Sequence, residues 1–297
     1  MTYLCIDIGA SKTLIGTGDR DLESCTRVRT DEFLTEPSME DLPVDDIDKA
    51  VIATPGPLDR EKAVIYPPNI PGKKIDMNEL LSPNLKHFFL VNDCSAGVVG
   101  EYFFGETSAS DMVYITISSG IGAGVIIGDN LIEGRMGNFA EVGHLKVGGD
   151  RRCGCGGKGH WEAYCSGNNL PNFAYDLTGK KFKDAEELFI RYKQGDTSAK
   201  KAVQKMKEYN AAGISDVVNA YNPELIVLGG GVAVNNPDLI TSGLKSMLER
   251  DIVCEMPEIV TASLEDRSVL FGLLAFCHLD EKIDLLQDQH TSIRPLK

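Results

Sequence analysis

The sequence predicts a duplicated α/β fold in two domains, and two observations carry that expectation. Apolar, strand-length runs end in glycine turns and alternate with helix-length segments. One strand, turn and strand pattern also occurs twice. Tyr3 to Ile8, Gly9 to Ser11 and Thr13 to Thr17 form the first copy, and Met112 to Ile127 forms the second. An offset of 111 residues lays Tyr3 on Tyr114, Ile6 on Ile117, Gly9 on Gly120 and Ile15 on Ile126.

The remaining elements follow in order. Lys49 to Thr54 and Phe88 to Val91 read as strands separated by proline-rich loops. Cys94 to Phe104 reads as a helix with Val98, Val99, Tyr102 and Phe103 on one face. In the second half, Asp184 to Lys193 and Ser198 to Ala220 read as helices. Asn222-Pro223 is a stop before the strand Leu225 to Leu228, and Asn236-Pro237 a break before a helix through Leu248. Val269 to Leu286 reads as the final helix, and residues 287–297 as a loosely ordered polar tail. The boundary is expected near residue 110. It separates a smaller N-terminal domain, 1–110, from a larger C-terminal one, 111–297, whose final helix packs back towards the first.

Composition narrows the function. The chain has 297 residues, 42% hydrophobic and 25% charged, with a net charge of -14 and a pI near 4.8. Such acidity argues against a nucleic-acid surface, which needs clustered Lys and Arg. Asp7 and Lys12 stand where a signal peptide needs its apolar run, and no stretch reaches the ~18 apolar residues of a membrane span. A cytoplasmic protein is expected, with reduced thiols. Of the eight cysteines, Cys5, Cys25, Cys94, Cys165, Cys254 and Cys277 are read as packing residues.

The other two belong to the densest chemical signal in the chain. His144, Cys153, Cys155 and His160 form a four-ligand pattern, and six glycines from Gly148 to Gly159 let the chain wrap around it. Any one of these alone is an ordinary thiol or histidine; the four together point to structural Zn²⁺. Glu141 lies three residues before the first ligand and Glu162 two after the last, so a closed metal site would hold both carboxylates still.

Three glycine turns follow strands: Asp7-Ile8-Gly9-Ala10-Ser11-Lys12, Ser118-Ser119-Gly120-Ile121-Gly122 and Gly229-Gly230-Gly231. Such turns present backbone N–H groups to phosphates, and Asp7 adds a carboxylate for Mg²⁺. Alone, each is as well read as a tight turn. No G-x-x-x-x-G-K-[ST] occurs, and Gly120-Ile121-Gly122-Ala123-Gly124 lacks the dinucleotide spacing, so P-loop and Rossmann readings fall away. Asn92-Asp93 sits at the end of a strand and the start of a helix, a place that suits both helix capping and a catalytic carboxylate.

In order and spacing these motifs resemble the ROK family, the sugar kinases and related repressors of the actin/hexokinase-like (ribonuclease H-like) fold with a cleft between two domains. The residues that carry the resemblance are the Asp7 to Lys12 turn, Pro68-Asn69-Ile70-Pro71-Gly72, Asn92-Asp93, Ser119 to Gly122, Glu141 to Gly167 and Leu228 to Gly231. The resemblance implies Mg²⁺ and ATP on Asp7, Gly9, Ser11, Lys12, Thr13, Ser119 and Gly120, with Gly229, Gly230 and Gly231 against the adenosine. It implies Asp93 as general base, and a hexose held by Gly56, Asn69, Asn92, Asp93, Glu141, His144 and Glu162. Ser11 replaces the family's usual threonine and keeps its hydroxyl. His160 replaces a usual third cysteine, giving Cys₂His₂.

The implied activity is ATP-dependent phosphorylation of a hexose, glucose to glucose 6-phosphate, by a homo-oligomer, dimer or tetramer. The alternatives are an N-acetylmannosamine or N-acetylglucosamine kinase, a fructokinase, or a non-catalytic sugar-sensing regulator. The regulator is disfavoured because the first phosphate loop begins at residue 7, ahead of which a winged helix-turn-helix has no room.

Overall fold

The computed structural model describes residues 2–35, 47–66, 74–81, 85, 88–278 and 291–292. The strands of the first half are β1 (Thr2–Ile8), β2 (Lys12–Gly18), β3 (Leu22–Arg29), β4 (Ile47–Thr54), β5 (Leu58–Asp59), β6 (Val64–Ile65), β7 (Ile75–Asp76) and β8 (Phe88–Asn92). Those of the second are β9 (Met112–Ile117), β10 (Ile121–Ile127), β11 (Asn130–Leu131), β12 (Leu225–Gly229), β13 (Glu258–Thr261) and β14 (Thr291–Ser292). One sheet runs β3-β2-β1-β4-β8 and another β13-β12-β9-β10-β11-β14, with β5, β6 and β7 in a small sheet of their own. Read from β11, the second order is β11-β10-β9-β12-β13, which is the first order repeated: an antiparallel hairpin pair beside β1 or β9, and a later strand on its other side. The duplication expected from the 111-residue offset is therefore present in topology.

The chain divides into two compact units, neither continuous in sequence: 1–114 with 124–139 and 263–297, and 115–123 with 140–262. In the first unit, strand alternation sorts β1 between two layers. Leu4, Ile6 and Ile8 join Ile15, Ala50, Ile52, Phe33, Met77 and Leu81 in one buried cluster. From the opposite face, Tyr3 meets His278 edge-on, and Cys5 lies against Cys277. Phe33 and Met77 come from the short helices α1 (Thr30–Thr35) and α2 (Met77–Leu81).

The opposite layer is built from α3 (Asp93–Phe104) and, at the end of the chain, the helix Ser268–His278. These two lie in close contact because both carry glycine where they cross. A Cβ on Gly100 would strike the Ser268 carbonyl, and one on Gly272 the Ala96 carbonyl. Glu101, 1% exposed, fixes the pair chemically. Its carboxylate accepts from Ser263 N–H at 3.2 Å, Ser263 Oγ–H at 2.9 Å, Leu264 N–H at 3.1 Å and Ser268 Oγ–H at 2.7 Å.

In the second unit the long helix is Thr197–Tyr221, and it forms the centre of a helical layer. Asp196 caps its start by accepting from Ala199 N–H at 2.9 Å, and Asn222, left-handed at φ 47°, ends it. Around it in chain order lie α4 (Glu162–Cys165), α5 (Leu170–Thr178) and α6 (Ala185–Lys193), so the long helix is α7. Beyond it come α8 (Gly230–Asn235), α9 (Pro237–Thr241), α10 (Leu244–Leu248) and the final helix α11 (Ser268–His278). The single helix expected between Asn236 and Leu248 is two, because Gly243 at φ 77° breaks it. Helix α5 and strand β3 were not anticipated. Residues 279–286, expected to continue α11, lie outside the described residues, and of the expected polar tail, 287–297, only β14 is described.

Overpacking of a close helix contact costs ~1 to 3 kcal/mol. Gly272→Ala is therefore expected to lower the melting temperature by several degrees, while Gly154→Ala, whose Cβ meets nothing, leaves it unchanged. Thermal melts of the two variants against the parent check the contact; equal melting temperatures would contradict it.

Candidate active site and metal centre

Register explains why chemistry-bearing residues of the first unit converge. β1, β4 and β8 are parallel, with Asp7 opposite Ala53 and Thr54 opposite Asn92. Their carboxyl ends lie side by side, where α/β folds bind ligands, and the loops leaving them carry Gly9, Gly56 and Asp93. Gly56 precedes a cis peptide bond to Pro57. Asn92 caps α3 through its Oδ1, which accepts from Cys94 N–H at 2.9 Å and Ser95 N–H at 3.2 Å. Asp93 opens the helix, its Oδ1 2.8 Å from Cys94 N. Both residues therefore accept from N–H groups at the start of α3, and Asp93 also stands near enough to Asp7 for its charge to act there.

The turn after β1 is tight: Gly9 N–H donates to Lys12 O at 3.0 Å, so a side chain at Gly9 would crowd that carbonyl. Thr30 completes it by donating to Gly9 O at 2.8 Å and sharing a 3.1 Å hydrogen bond with Thr13 Oγ1. Since Thr30 spends its proton on Gly9, Thr13 is the donor to Thr30, and its hydroxyl braces the loop from beneath. Ser11 is exposed. Lys12 Nζ reaches Asp266 Oδ2 at 3.1 Å. Loss of water pushes the Asp7 carboxyl up to about 7; the charges of Asp93 and Asp266 add to this, and Lys12 opposes it. A cation beside Asp7 would relieve that repulsion.

The second unit assembles around its own turn. Ser118 N–H donates to Gly120 O at 2.9 Å, closing Ser118 to Gly120. Gly167 N–H donates to Ser118 O at 2.7 Å, and Ile121 N–H to Glu162 Oε2 at 3.0 Å, so the turn is tied to both ends of α4. Gly143 packs on the Ile121 carbonyl, where a Cβ would not fit. Gly230, at φ 80°, packs on Thr116 and Ile117, which sets the Gly229 to Gly231 turn against the end of β9.

His144, Cys153, Cys155 and His160 come together, with one donor atom from each lying within 4.8 Å of all the others. Cys155 Sγ is 3.3 Å from His160 Nδ1, and Cys153 Sγ 3.8 Å from His144 Nδ1. A tetrahedral ion with metal–sulfur and metal–nitrogen bonds of ~2.3 and ~2.05 Å separates S from N by about 3.6 Å, between the two observed values. The donor set thus fits a tetrahedral Zn²⁺. Burial pushes the Cys153 thiol up to about 11, so this sulfur is a thiol until a cation displaces its proton. Ser119, Gly120, Glu141, His144 and Glu162 share this unit with the cluster; Asp7, Gly9, Lys12, Thr13, Asn92 and Asp93 share the other. Desolvation pushes the Glu141 carboxyl up, His144 opposes it, and the Glu162 charge adds to it. Asn69, expected at the sugar, lies outside the described residues with the rest of Pro68 to Gly72.

Sequence reasoning missed the residues that hold these groups. Trp161, fully buried between His160 and Glu162, donates from Nε1 to Asn210 Oδ1 at 2.8 Å, and Gly213 leaves room for its indole. Thr30 and Asp266 are the corresponding omissions in the first unit. The one available signal was a lone Trp next to a metal ligand; Asn210 carries none, being 49 residues away.

The fold is that of a sugar-kinase class of α/β protein. A ROK hexokinase from Thermus thermophilus superposes with a TM-score of 0.78 at 30% identity, covering 95% of this chain and 100% of that one. A ROK family glucokinase from Streptomyces griseus, solved with glucose and AMPPNP, gives 0.77 at 25% identity over 93% and 99%. The chain belongs to the ROK family, matching it over residues 3–279. A glucokinase from Pyrobaculum calidifontis is 34% identical over 282 residues, 93% of this chain and 95% of that one.

The raised Asp7 carboxyl has a measurable sign. In the folded state it titrates near 7 rather than near 3.8, so across that interval the folded protein binds more protons than the unfolded chain. Stability then falls as pH rises through the interval, and the penalty is complete above it. Asp7→Asn removes the penalty: a gain of up to about 4 kcal/mol is expected at pH 8 and little at pH 4. Denaturant titrations at both pH values check this, and a pH-independent difference would contradict it.

Proposed function

We propose that this protein is an ATP-dependent hexokinase that prefers glucose and phosphorylates its 6-hydroxyl. The observation that carries the reading is Asp93, set at a parallel-strand carboxyl end and electrostatically coupled to Asp7 of the glycine turn, in a member of a sugar-kinase family. The glucokinase similarity over 93% of the chain supports the choice of sugar. A hexose hydroxyl is a weak nucleophile at neutral pH. Asp93 orients the 6-hydroxyl and takes its proton while the new O–P bond forms and the bond from the γ-phosphorus to the bridging oxygen breaks, releasing ADP.

Asp7 would hold Mg²⁺, directly or through water, and the ion would neutralise charge on the nucleotide's phosphates. Backbone N–H groups of the Gly9 to Lys12 and Ser119-Gly120 turns, with the Ser11 hydroxyl and Lys12, contact the phosphates, while Gly229 to Gly231 lies against the adenosine. Asn92, Gly56, Asn69, Glu141, His144 and Glu162 serve the sugar hydroxyls. The donor set supports structural Zn²⁺ at His144, Cys153, Cys155 and His160. With His144 Nδ1 turned to Cys153, Nε2 is the nitrogen left for the sugar.

Three outcomes are expected. Asp93→Asn lowers kcat by ~10² to 10⁴ and leaves ATP binding nearly intact; near-normal turnover would show that Asp93 only supports the helix. Elemental analysis finds one zinc per chain, and slow chelation raises the hexose KM before the protein unfolds; full activity with far less metal contradicts the structural role. In a coupled assay, glucose gives the highest kcat/KM among hexoses and N-acetylhexosamines. A higher value for N-acetylmannosamine or N-acetylglucosamine would overturn the choice of glucose.

A further inference from the structure

Asp266 receives two cations on one oxygen. Lys12 Nζ lies 3.1 Å from Asp266 Oδ2, and Arg27 Nη2 donates to the same atom at 2.5 Å. The two cations project from one face of the β2–β3 hairpin: Arg27 stands opposite Leu14, and Lys12 precedes Leu14 by two residues. The carboxylate is equally well placed. It lies in the 3-10 turn Glu265–Arg267, and buried Glu101 binds the chain just before and just after that turn, at Ser263, Leu264 and Ser268. Partial burial works against ionisation of Asp266, but the Lys12 hydrogen bond and the charges of Lys12 and Arg27 outweigh it and hold its carboxyl below the usual range.

A lysine with a carboxylate partner must give that partner up before it can serve a phosphate. The exchange is balanced, since one anion replaces another, and it favours an anion with several oxygens able to take both cations at once. Arg27 suits this because its planar fork matches phosphate geometry.

We propose that Asp266 is an internal counter-ion that holds Lys12 and Arg27 while no nucleotide is bound and yields both to the nucleotide's phosphates, which makes Arg27 an additional phosphate contact. The proposal rests on the reading of the Asp7 to Lys12 turn as the nucleotide loop. It assigns the two acids different partners: Asp7 serves the cation that accompanies the nucleotide, and Asp266 competes with the nucleotide itself.

Calorimetric titration of ATP with Mg²⁺ into the parent protein, Asp266→Asn and Arg27→Gln tests it. Asp266→Asn is expected to tighten ATP binding by about 3- to 10-fold, since two exposed ion pairs no longer compete. Arg27→Gln, a change at an exposed side chain, is expected to weaken it by about 3-fold or more. Damage to folding would move both variants the same way, whereas the counter-ion moves them apart. Unchanged or weaker ATP binding by Asp266→Asn, or unchanged binding by Arg27→Gln, overturns the proposal alone. Failure of the parent protein to bind ATP overturns both the proposal and the nucleotide reading beneath it.

Discussion

The contact between α3 and α11 is the constraint on which the first unit depends. Two glycines let the helices touch backbone to backbone, and the buried Glu101 carboxylate satisfies two backbone N–H groups and two hydroxyls at the entry to α11. A carboxylate taken out of water is tolerable only when its lone pairs are met, and here four donors meet them. The consequence reaches both ends of the pair. α3 begins at Asp93, and the turn into α11 carries Asp266, so one buried contact fixes the proposed base and the carboxylate that holds Lys12.

The second unit reaches rigidity by a different route. Six glycines from Gly148 to Gly159 cannot hold a shape through side-chain packing, so the loop relies on cross-links. His144, Cys153, Cys155 and His160 supply one set, suited to a metal ion. Trp161 supplies the other, its indole pinned by Asn210 and fitted against Gly213 on α7. Because His160, Trp161 and Glu162 are consecutive, a restraint on the indole is also a restraint on the ligand before it and the carboxylate after it.

What could be read from the sequence was local. Gly9, Gly120 and Gly229 stand out because turns after strands need glycine, and the Cys/His spacing stands out because tetrahedral metals need four soft donors in a short span. The repeat linking Tyr3 to Ile15 with Tyr114 to Ile126 anticipated a topology that does occur twice. Strand β3 went unseen because it is an edge strand with mostly exposed residues, from Glu23 to Arg27, that show no alternation. The helix expected through Leu248 contains Gly243, whose left-handed backbone at φ 77° divides it. Glu101 and Asp266 could not be read at all, since their partners lie up to 167 and 254 residues away in sequence. Long-range polar pairs leave no periodic trace in a sequence.

The proposed function requires that a phosphoryl group pass from a nucleotide to the 6-hydroxyl of a hexose. Phosphorus and carbon NMR of uniformly ¹³C-labelled glucose incubated with the protein, ATP and Mg²⁺ tests that requirement directly. The expected spectrum shows ADP appearing in step with a phosphate ester whose coupling lies on C6. An ester on C1 or another carbon, or loss of the ATP γ-phosphate to inorganic phosphate without any sugar ester, would contradict it.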